Sequence, residues 1–390
     1  MDKNLNMITE VSAYEVNRYY FSELNKQMQK KDHVPESIFS VTDHQIGKKI
    51  KTIVKEPGTL FMIDTPLGEQ RNFNGEGIYE EADNQAQLIT YLTNYPSTQI
   101  DNILHLGKGT VVLTKTCNAA SYLETYYGIH AKMQPMFGIE GKKRIPFGDR
   151  KYDVFFPGTY LDPATCLTQM KDYYPTTMYE IAMDMIHYMM KDTEVTIEEA
   201  LCQKLKKLEV NCTKELITSY LKEYSTLILE YCCREQRKQM LLKLIQGGLK
   251  ITVCGQHWDV FRELLVKDQQ QRLEVLYDAV PPHKVIELMG NAKIVLNYSP
   301  YYNGVNERVA TAMLNGAVCF TDSNAYLKEH MKNHQEIELY IGKNVTKLVN
   351  RIRTILMDNS MGIQISENAG NYARENLSPE AFSKELENYM

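Results

Sequence analysis

Tyr302-Asn303-Gly304-Val305-Asn306-Glu307-Arg308-Val309-Ala310-Thr311-Ala312-Met313-Leu314-Asn315-Gly316-Ala317-Val318-Cys319-Phe320-Thr321-Asp322 is the stretch that decides the fold. A polar turn with one glycine runs into a segment of helical period. That segment stops at Gly316, a residue suited to the position just past a helix. A short apolar strand follows at once. Just upstream, Ala292-Lys293-Ile294-Val295-Leu296-Asn297-Tyr298 reads as a parallel strand buried on both faces. Strand, glycine-bearing loop and helix N-terminus make an anion receptacle, because unbonded amides and the helix dipole converge on one spot. The expectation is a phosphorylated ligand near Gly304. Gly304, Val305 and Asn306 would present backbone amides, and the Arg308 fork would pair with phosphate oxygens. Glu307 would accept from hydroxyls of that ligand, or simply cap the helix as a favourable charge. The structural alternative for Arg308 is a surface ion pair with Glu307 or Glu287.

The same rhythm extends outward. Leu249-Lys250-Ile251-Thr252-Val253-Cys254-Gly255 reads as a strand, Leu273 to Tyr277 as a weaker one, Val285 to Gly290 as a helix and Glu336 to Tyr340 as the last strand. Helices near 343–358, 361–375 and 379–389 finish the chain. Strands alternating with helices of this size predict an α/β fold with doubly wound parallel sheets, which bind ligands beyond the carboxyl ends of their strands. Gly255 and Tyr298 to Gly304 sit at such ends. From Pro163 to about Gly247 the pattern is almost wholly helical, with a capping box at Thr196-Ile197-Glu198-Glu199, and reads as a helical insertion over 163–247. It offers a surface for a partner or a second copy of the chain.

Toward the N-terminus, Val11 to Lys31 carries an apolar stripe of helical spacing. Thr59-Leu60-Phe61-Met62-Ile63-Asp64 reads as a buried strand ending in Thr65-Pro66. Ile103-Leu104-His105-Leu106 and Thr110 to Thr114 read as further strands, and Cys117 to Tyr127 as a helix ending at Gly128. His130 to Pro135 is another strand candidate. Gly138 to Gly148 packs three glycines, a proline and four charges into one exposed connection, which divides the chain into a domain over 1–140 and another over 150–375. Residues 376–390 form a last helix that packs back on the first domain. Asp64 and His105 stand at predicted strand ends, where either could orient or deprotonate a substrate hydroxyl. The competing readings are a turn-capping Asp and a satisfied His. Lys108, between two glycines, is a weaker candidate contact.

Composition sets bounds. With 390 residues the chain is too long for one core. Apolar content of 43% and charged content of 24% are ordinary for a globular protein. A net charge of -5 argues against a nucleic-acid surface. No apolar run is long enough to span a membrane, and the first residues lack the core of a signal peptide. The eight cysteines form no C-x-x-C pair and read as buried free thiols in a reducing cytosol, hence a cytoplasmic location and no zinc site.

Several of these pieces, taken in order, resemble the C-terminal half of GT-B glycosyltransferases, in particular the spore-maturation (CgeB-like) group. They are Asp153-Val154-Phe155-Phe156-Pro157-Gly158; Gly255-Gln256-His257-Trp258; the run from Val280-Pro281-Pro282 through Ile286 to Asn297; and Asn306-Glu307-Arg308-Val309 followed by Gly316-Ala317-Val318. The resemblance covers roughly residues 150–160 and 249–325. It implies two Rossmann-like domains, a nucleotide-diphosphate sugar donor on the C-terminal one, and an acceptor of unknown nature (glycan, small molecule or protein) presented by the other. It also implies retention of configuration and a metal-independent reaction, in line with the lack of a strand-flanked D-x-D. Gly255, Gln256 and His257 would border the phosphates, and Trp258 would wall the donor pocket or pack the core. Val280, within Tyr277-Asp278-Ala279-Val280-Pro281, lies where relatives hold the base largely by backbone groups. Relatives in the larger family 4 group carry two glutamates eight residues apart. Aligned on Gly316, those positions are Asn303 and Thr311, so neither carboxylate is present and the acidic residue is Glu307. A non-catalytic GT-B-like scaffold is the rival reading. A nicotinamide dehydrogenase finds no G-x-G-x-x-G after any strand.

Overall fold

The computed structural model describes residues 5–9, 15–29, 35–40, 46–64, 77, 79, 85–107, 109–276, 278, 280–340 and 344–390. Lys108, Tyr277, Ala279, Thr65, Pro66 and both ends of the helix expected over 11–31 lie outside them. The chain divides into two compact units, one of Met1–Ile139 with Asn376–Met390 and one of Glu140–Glu375.

The first unit holds β1 (Leu5–Thr9), α1 (Glu15–Gln29), β2 (Pro35–Ser40), α2 (Ile46–Ile53), β3 (Gly58–Ile63), β4 (Ala86–Leu92), α3 (Ile100–Leu104), β5 (Val111–Thr114), α4 (Cys117–Tyr127) and β6 (Ala131–Met133). Its strands pair in parallel in the order β2-β1-β3-β4-β5-β6. β3 is buried along almost its whole length, as a central parallel strand must be. The terminal residues belong to this unit. Phe382 sits 4.9 Å from the Phe137 ring, 5.3 Å from Tyr91 and 6.3 Å from Phe61, so one aromatic cluster fastens the last helix.

The second unit runs β7 (Tyr152–Pro157), α5 (Ala164–Tyr173), α6 (Thr176–Lys191), α7 (Ile197–Lys207), α8 (Lys214–Gln246), β8 (Ile251–Cys254), α9 (Trp258–Glu263), α10 (Lys267–Gln270), β9 (Leu273–Val275), α11 (Pro282–Gly290), β10 (Ala292–Leu296), α12 (Glu307–Leu314), β11 (Val318–Asp322), α13 (Ala325–His330), β12 (Glu338–Tyr340), α14 (Val345–Met357) and α15 (Asn359–Asn376). α16 (Pro379–Glu387) is the last helix, in the first unit. The strand order β12-β11-β10-β7-β8-β9 is all parallel and reverses direction between β7 and β10. That reversal is the place where a doubly wound sheet opens a crevice for a ligand.

Local chemistry explains the framework. Thr213 caps α8 at Leu216, Asn306 caps α12 at Val309, and the Thr196–Glu199 capping box starts α7. The last turns of α8 (Met240, Leu241, Leu244, Ile245) pack with Phe156, Val253 and Ile294 in the main core. Arg150 is 5% exposed, and its guanidinium donates to the carbonyls of Ala292, Gly316 and Asn315 at 2.9, 2.7 and 3.1 Å. It thereby ties β10 to the carbonyl end of α12, where a cation is favoured by the helix dipole.

Two expectations fail, and four elements were not anticipated. Ile103–Leu106 is no strand: α3 ends at Leu104 and His105 is its C-cap. A four-residue apolar run cannot by itself separate a strand from a helical turn. The strands and helix at β1, β2, β4 and α2 gave no period signal strong enough to be read. Not every cysteine is free, because Cys202 and Cys212 form a disulfide across the α7–α8 turn. Cys117, Cys166, Cys232, Cys233, Cys254 and Cys319 are free. Among the described residues no helix is long and apolar enough to cross a membrane.

Candidate anion site at the sheet reversal

The carboxyl ends of β7, β8 and β10 carry the candidate site. β7 ends in Phe156-Pro157-Gly158 and β8 in Cys254-Gly255. Here the backbones press together: a Cβ on Gly255 would lie 2.7 Å from the Gly158 carbonyl, and Gly255 has φ +115. Only glycine fits both constraints. The Trp258 indole N–H donates to Gly158 O at 2.9 Å and clamps the two turns.

Beside this junction stand two guanidiniums. Arg308, in the first turn of α12, has its guanidinium carbon 5.6 Å from the Phe156 ring centroid; Arg237, from α8, lies 5.9 Å from the same ring. Neither makes an ion pair among the described residues. Arg308 Nη1 donates to Asn297 Oδ1 at 3.0 Å, and a Cβ on Gly158 would come within 3.3 Å of Arg308 Nη2. Arg237 Nη2 reaches Tyr298 O at 3.3 Å, while its Nε is buried with no partner. Burial first, and then the like charge of Arg308, pull the Arg237 guanidinium down to about 10. It remains charged at neutral pH. Among the described residues Asp322 is the carboxylate whose charge reaches Arg237, so two partly desolvated cations share a single carboxylate, an arrangement that favours a further anion.

A polar lattice fixes them. Asn297 Nδ2 donates to Thr321 Oγ1 at 2.8 Å, and Asn306 Nδ2 donates to Ser299 Oγ at 2.7 Å and Asn297 Oδ1 at 3.2 Å. Asp322 accepts from the Ser299 amide at 2.7 Å and from the Thr321 hydroxyl at 3.3 Å. Burial pushes the Asp322 carboxyl up to about 6, against the pull of those hydrogen bonds and of Arg237. The amides of Glu307 and Arg308, at the mouth of α12, bond to no described residue.

Residues 234–386 match a family model described as Glycosyl transferase-like. No curated protein matches the sequence. Among solved structures, HepE from Anabaena in complex with UDP-glucose is 11% identical, with 98% of each chain covered and a TM-score of 0.53. An alpha-glucosyltransferase in complex with UDP and DNA is 10% identical, with 100% of each chain covered and a TM-score of 0.59. Sucrose-phosphate synthase from Thermosynechococcus elongatus is 9% identical over 99% of this chain and 98% of that one, with a TM-score of 0.55. The fold is GT-B.

In this GT-B chain the expected site residues separate into groups. Arg308, Glu307, Gly255 and Tyr298 gather at the sheet reversal. Glu307 is half-buried and makes no ion pair among the described residues, so neither it nor Glu287, which holds Lys284 at 2.8 Å, pairs with Arg308. Gly304, Val305 and Asn306 are buried. Their loop is braced from within: Asn324 Nδ2 donates to Tyr302 O and Gly304 O, and Asn303 Oδ1 accepts from the Tyr326 amide. The Asn306 side chain takes the Val309 amide. The Gly304 amide itself donates to Tyr302 O at 3.1 Å, and the amides of Glu307 and Arg308 with the guanidiniums form the candidate receptacle. Thr311 is fully buried in α12 and out of a ligand's reach. Trp258 is 2% exposed and packs on Phe156, Tyr160 and Phe261, so it is core and not a pocket wall. Gln256 and His257 are exposed on the turn before α9, and Val280 is half-buried just before α11.

In the first unit, Asp64 is 5% exposed and fully engaged. It accepts from the Thr93 amide and hydroxyl, each at 2.8 Å, and from Gln99 at 3.1 Å. It fixes a turn at φ 56 and is no free base. His105 caps α3 through its backbone. Arg237 escaped sequence reading, because it stands in a helical segment whose apolar pattern gives no reason to pick out one arginine.

Proposed function

We propose that this chain is a glycosyltransferase that moves a hexosyl group from a nucleotide-diphosphate sugar to a hydroxyl of a glycan, small molecule or protein. The Arg237–Arg308 pair, two cations against the single nearby carboxylate of Asp322, carries the proposal. In the reaction the bond from the anomeric carbon to the β-phosphate oxygen breaks. The electron pair leaves with the diphosphate, the acceptor oxygen bonds to the carbon, and its proton departs. Charge grows on the leaving phosphate, where two fixed guanidiniums and the Glu307 and Arg308 amides stabilise it without reorganising. That arrangement supports a metal-independent reaction, and the CgeB-like resemblance supports retention. The C-terminal unit takes the donor and the N-terminal unit presents the acceptor. UDP-glucose is the first donor to test, since similar structures are complexes with UDP and UDP-glucose.

The test is a thermal-shift series with UDP, GDP, ADP and UDP-glucose, followed by release of UDP from UDP-glucose by the pure protein. A ligand bound only by the folded state raises the melting temperature. The expected result is a shift with UDP that Arg308→Ala removes. No shift with any nucleotide would sink the proposal. Asn303, engaged with Tyr326, buried Thr311 and the saturated Asp64 favour a second reading, a nucleotide-binding scaffold. It predicts the UDP shift without turnover of any donor.

A further inference from the structure

Next to the guanidinium pair, beside Gln236 and Tyr298, lies a cavity of about 220 Å³, below the ~300–1,000 Å³ of ordinary small-molecule pockets and so suited to a small ligand rather than a whole nucleotide. The helical insertion builds much of it. The end of α6 with the following turn and one face of α8 form its walls, and the carboxyl ends of β10, β11 and β12 close it.

The groups left for a ligand are specific. Asp322 spends Oδ1 on Ser299 and Thr321, while Oδ2 takes no hydrogen bond from another described residue. The Ser323 hydroxyl makes no hydrogen bond among the described residues. The Gln239 amide nitrogen donates to Glu235 at 2.8 Å, which leaves its oxygen to accept. The rings of Tyr298 and Tyr340 lie parallel, 5.9 Å apart at 9°, and add an apolar surface. The charges lining the cavity cancel: Lys191, Lys243 and Lys328 face Asp192, Glu194 and Asp322, with Lys328 paired to Glu194 at 3.2 Å. A phosphate would find as many carboxylates as ammoniums here. Hydroxyls, which both donate and accept, would be matched by carboxylate, amide oxygen, ammonium and serine, with an aromatic face for a sugar's C–H groups.

We propose that this cavity binds a neutral polyhydroxylated ligand the size of one monosaccharide, at a site separate from the diphosphate clamp. The proposal does not rest on the transferase reading. Saturation-transfer NMR on the full chain with free glucose, galactose, mannose and N-acetylglucosamine tests it, with inorganic phosphate as the anionic control. At least one sugar should give a saturable signal. Gln239→Trp, at an exposed position of α8, fills the space and should weaken that sugar at least tenfold with UDP binding intact. Ser323→Ala should weaken it several-fold and serves if the larger substitution fails to fold. Arg308→Ala should do the reverse, sparing the sugar and losing UDP. Failure of all four sugars, a signal that survives Gln239→Trp, one that vanishes with Arg308→Ala, or phosphate displaced by Gln239→Trp would each overturn the assignment. Failure of UDP alone would sink the donor reading and leave this one standing.

Discussion

The two sheets place charged or polar groups near strand ends in opposite ways. In the first unit Asp64 follows β3, and the Thr93 amide and hydroxyl with Gln99 saturate its carboxylate. In the second unit Arg308 and Arg237 stand near the ends of β10 and β7 with no ion-paired carboxylate and only the charge of Asp322 to offset them, and Arg237 Nε has no partner among the described residues. The same kind of topology thus yields a finished turn in one case and an unfinished charge in the other. A buried group with every hydrogen bond made is structure; a buried charge left unpaired calls for a ligand.

The sharpest way to break that comparison is to remove both arginines. Each single alanine should weaken UDP by about 1.5–3 kcal/mol, the worth of a charge-assisted bond. The double variant should lose binding measurable by titration calorimetry. Because the pair is unfavourable without a ligand, Arg308→Ala should leave the apo melting temperature unchanged or raise it. A marked drop would show a structural arginine. Asp64→Ala should act in the opposite sense. It strands the Thr93 donors, so stability should fall by about 1–3 kcal/mol in urea unfolding, and donor hydrolysis should be intact once the protein is folded. Lost turnover at full stability would make Asp64 catalytic after all.

Gly255→Ala sharpens the packing side. With φ +115 and the Gly158 carbonyl 2.7 Å from the new Cβ, it should cost about 1–3 kcal/mol of stability. An unshifted melting curve would mean the two turns are not pressed together. Asn297→Ala frees Arg308 from its anchor and should weaken UDP by about 1 kcal/mol, the net value of one hydrogen bond. Equal affinity would show that Arg308 needs no positioning.

The smallest effect is a pH dependence. The folded Asp322 carboxyl is raised to about 6 from its ordinary 3.8. Its contribution to stability is present below the unfolded value and fades as pH rises through 6. Above 6 its negative charge also opposes an anion on Arg237. UDP-glucose, whose diphosphate does not titrate there, should bind more tightly at pH 5 than at pH 7.5, and Asp322→Asn should flatten that difference. A flat wild-type profile would place Asp322 away from the phosphates.

Much of the second sheet could be read from periodicity: β8, β10, α12 and β11 fall where the apolar runs put them, and the helical run over 163–247 contains α5 to α8. The short run Ile103–Leu106 misled, because a few apolar residues fit either period. β4 and α2 left no clear mark. Arg308 was legible from its place in the first turn of a helix after a buried strand. Trp258 was not, since a strand-end aromatic can face a ligand or the core, and only packing against Phe156 and Phe261 decides.

By itself, then, the sequence determined the parallel α/β architecture and the helix mouth near Glu307, because burial period and helix-start chemistry are local properties of the chain. Only the tertiary structure decided that Arg237 joins Arg308, 71 residues away, on the Phe156 ring while Asn306 turns inward to cap. Whether a charge is paired depends on which distant segments meet, and no local pattern encodes that.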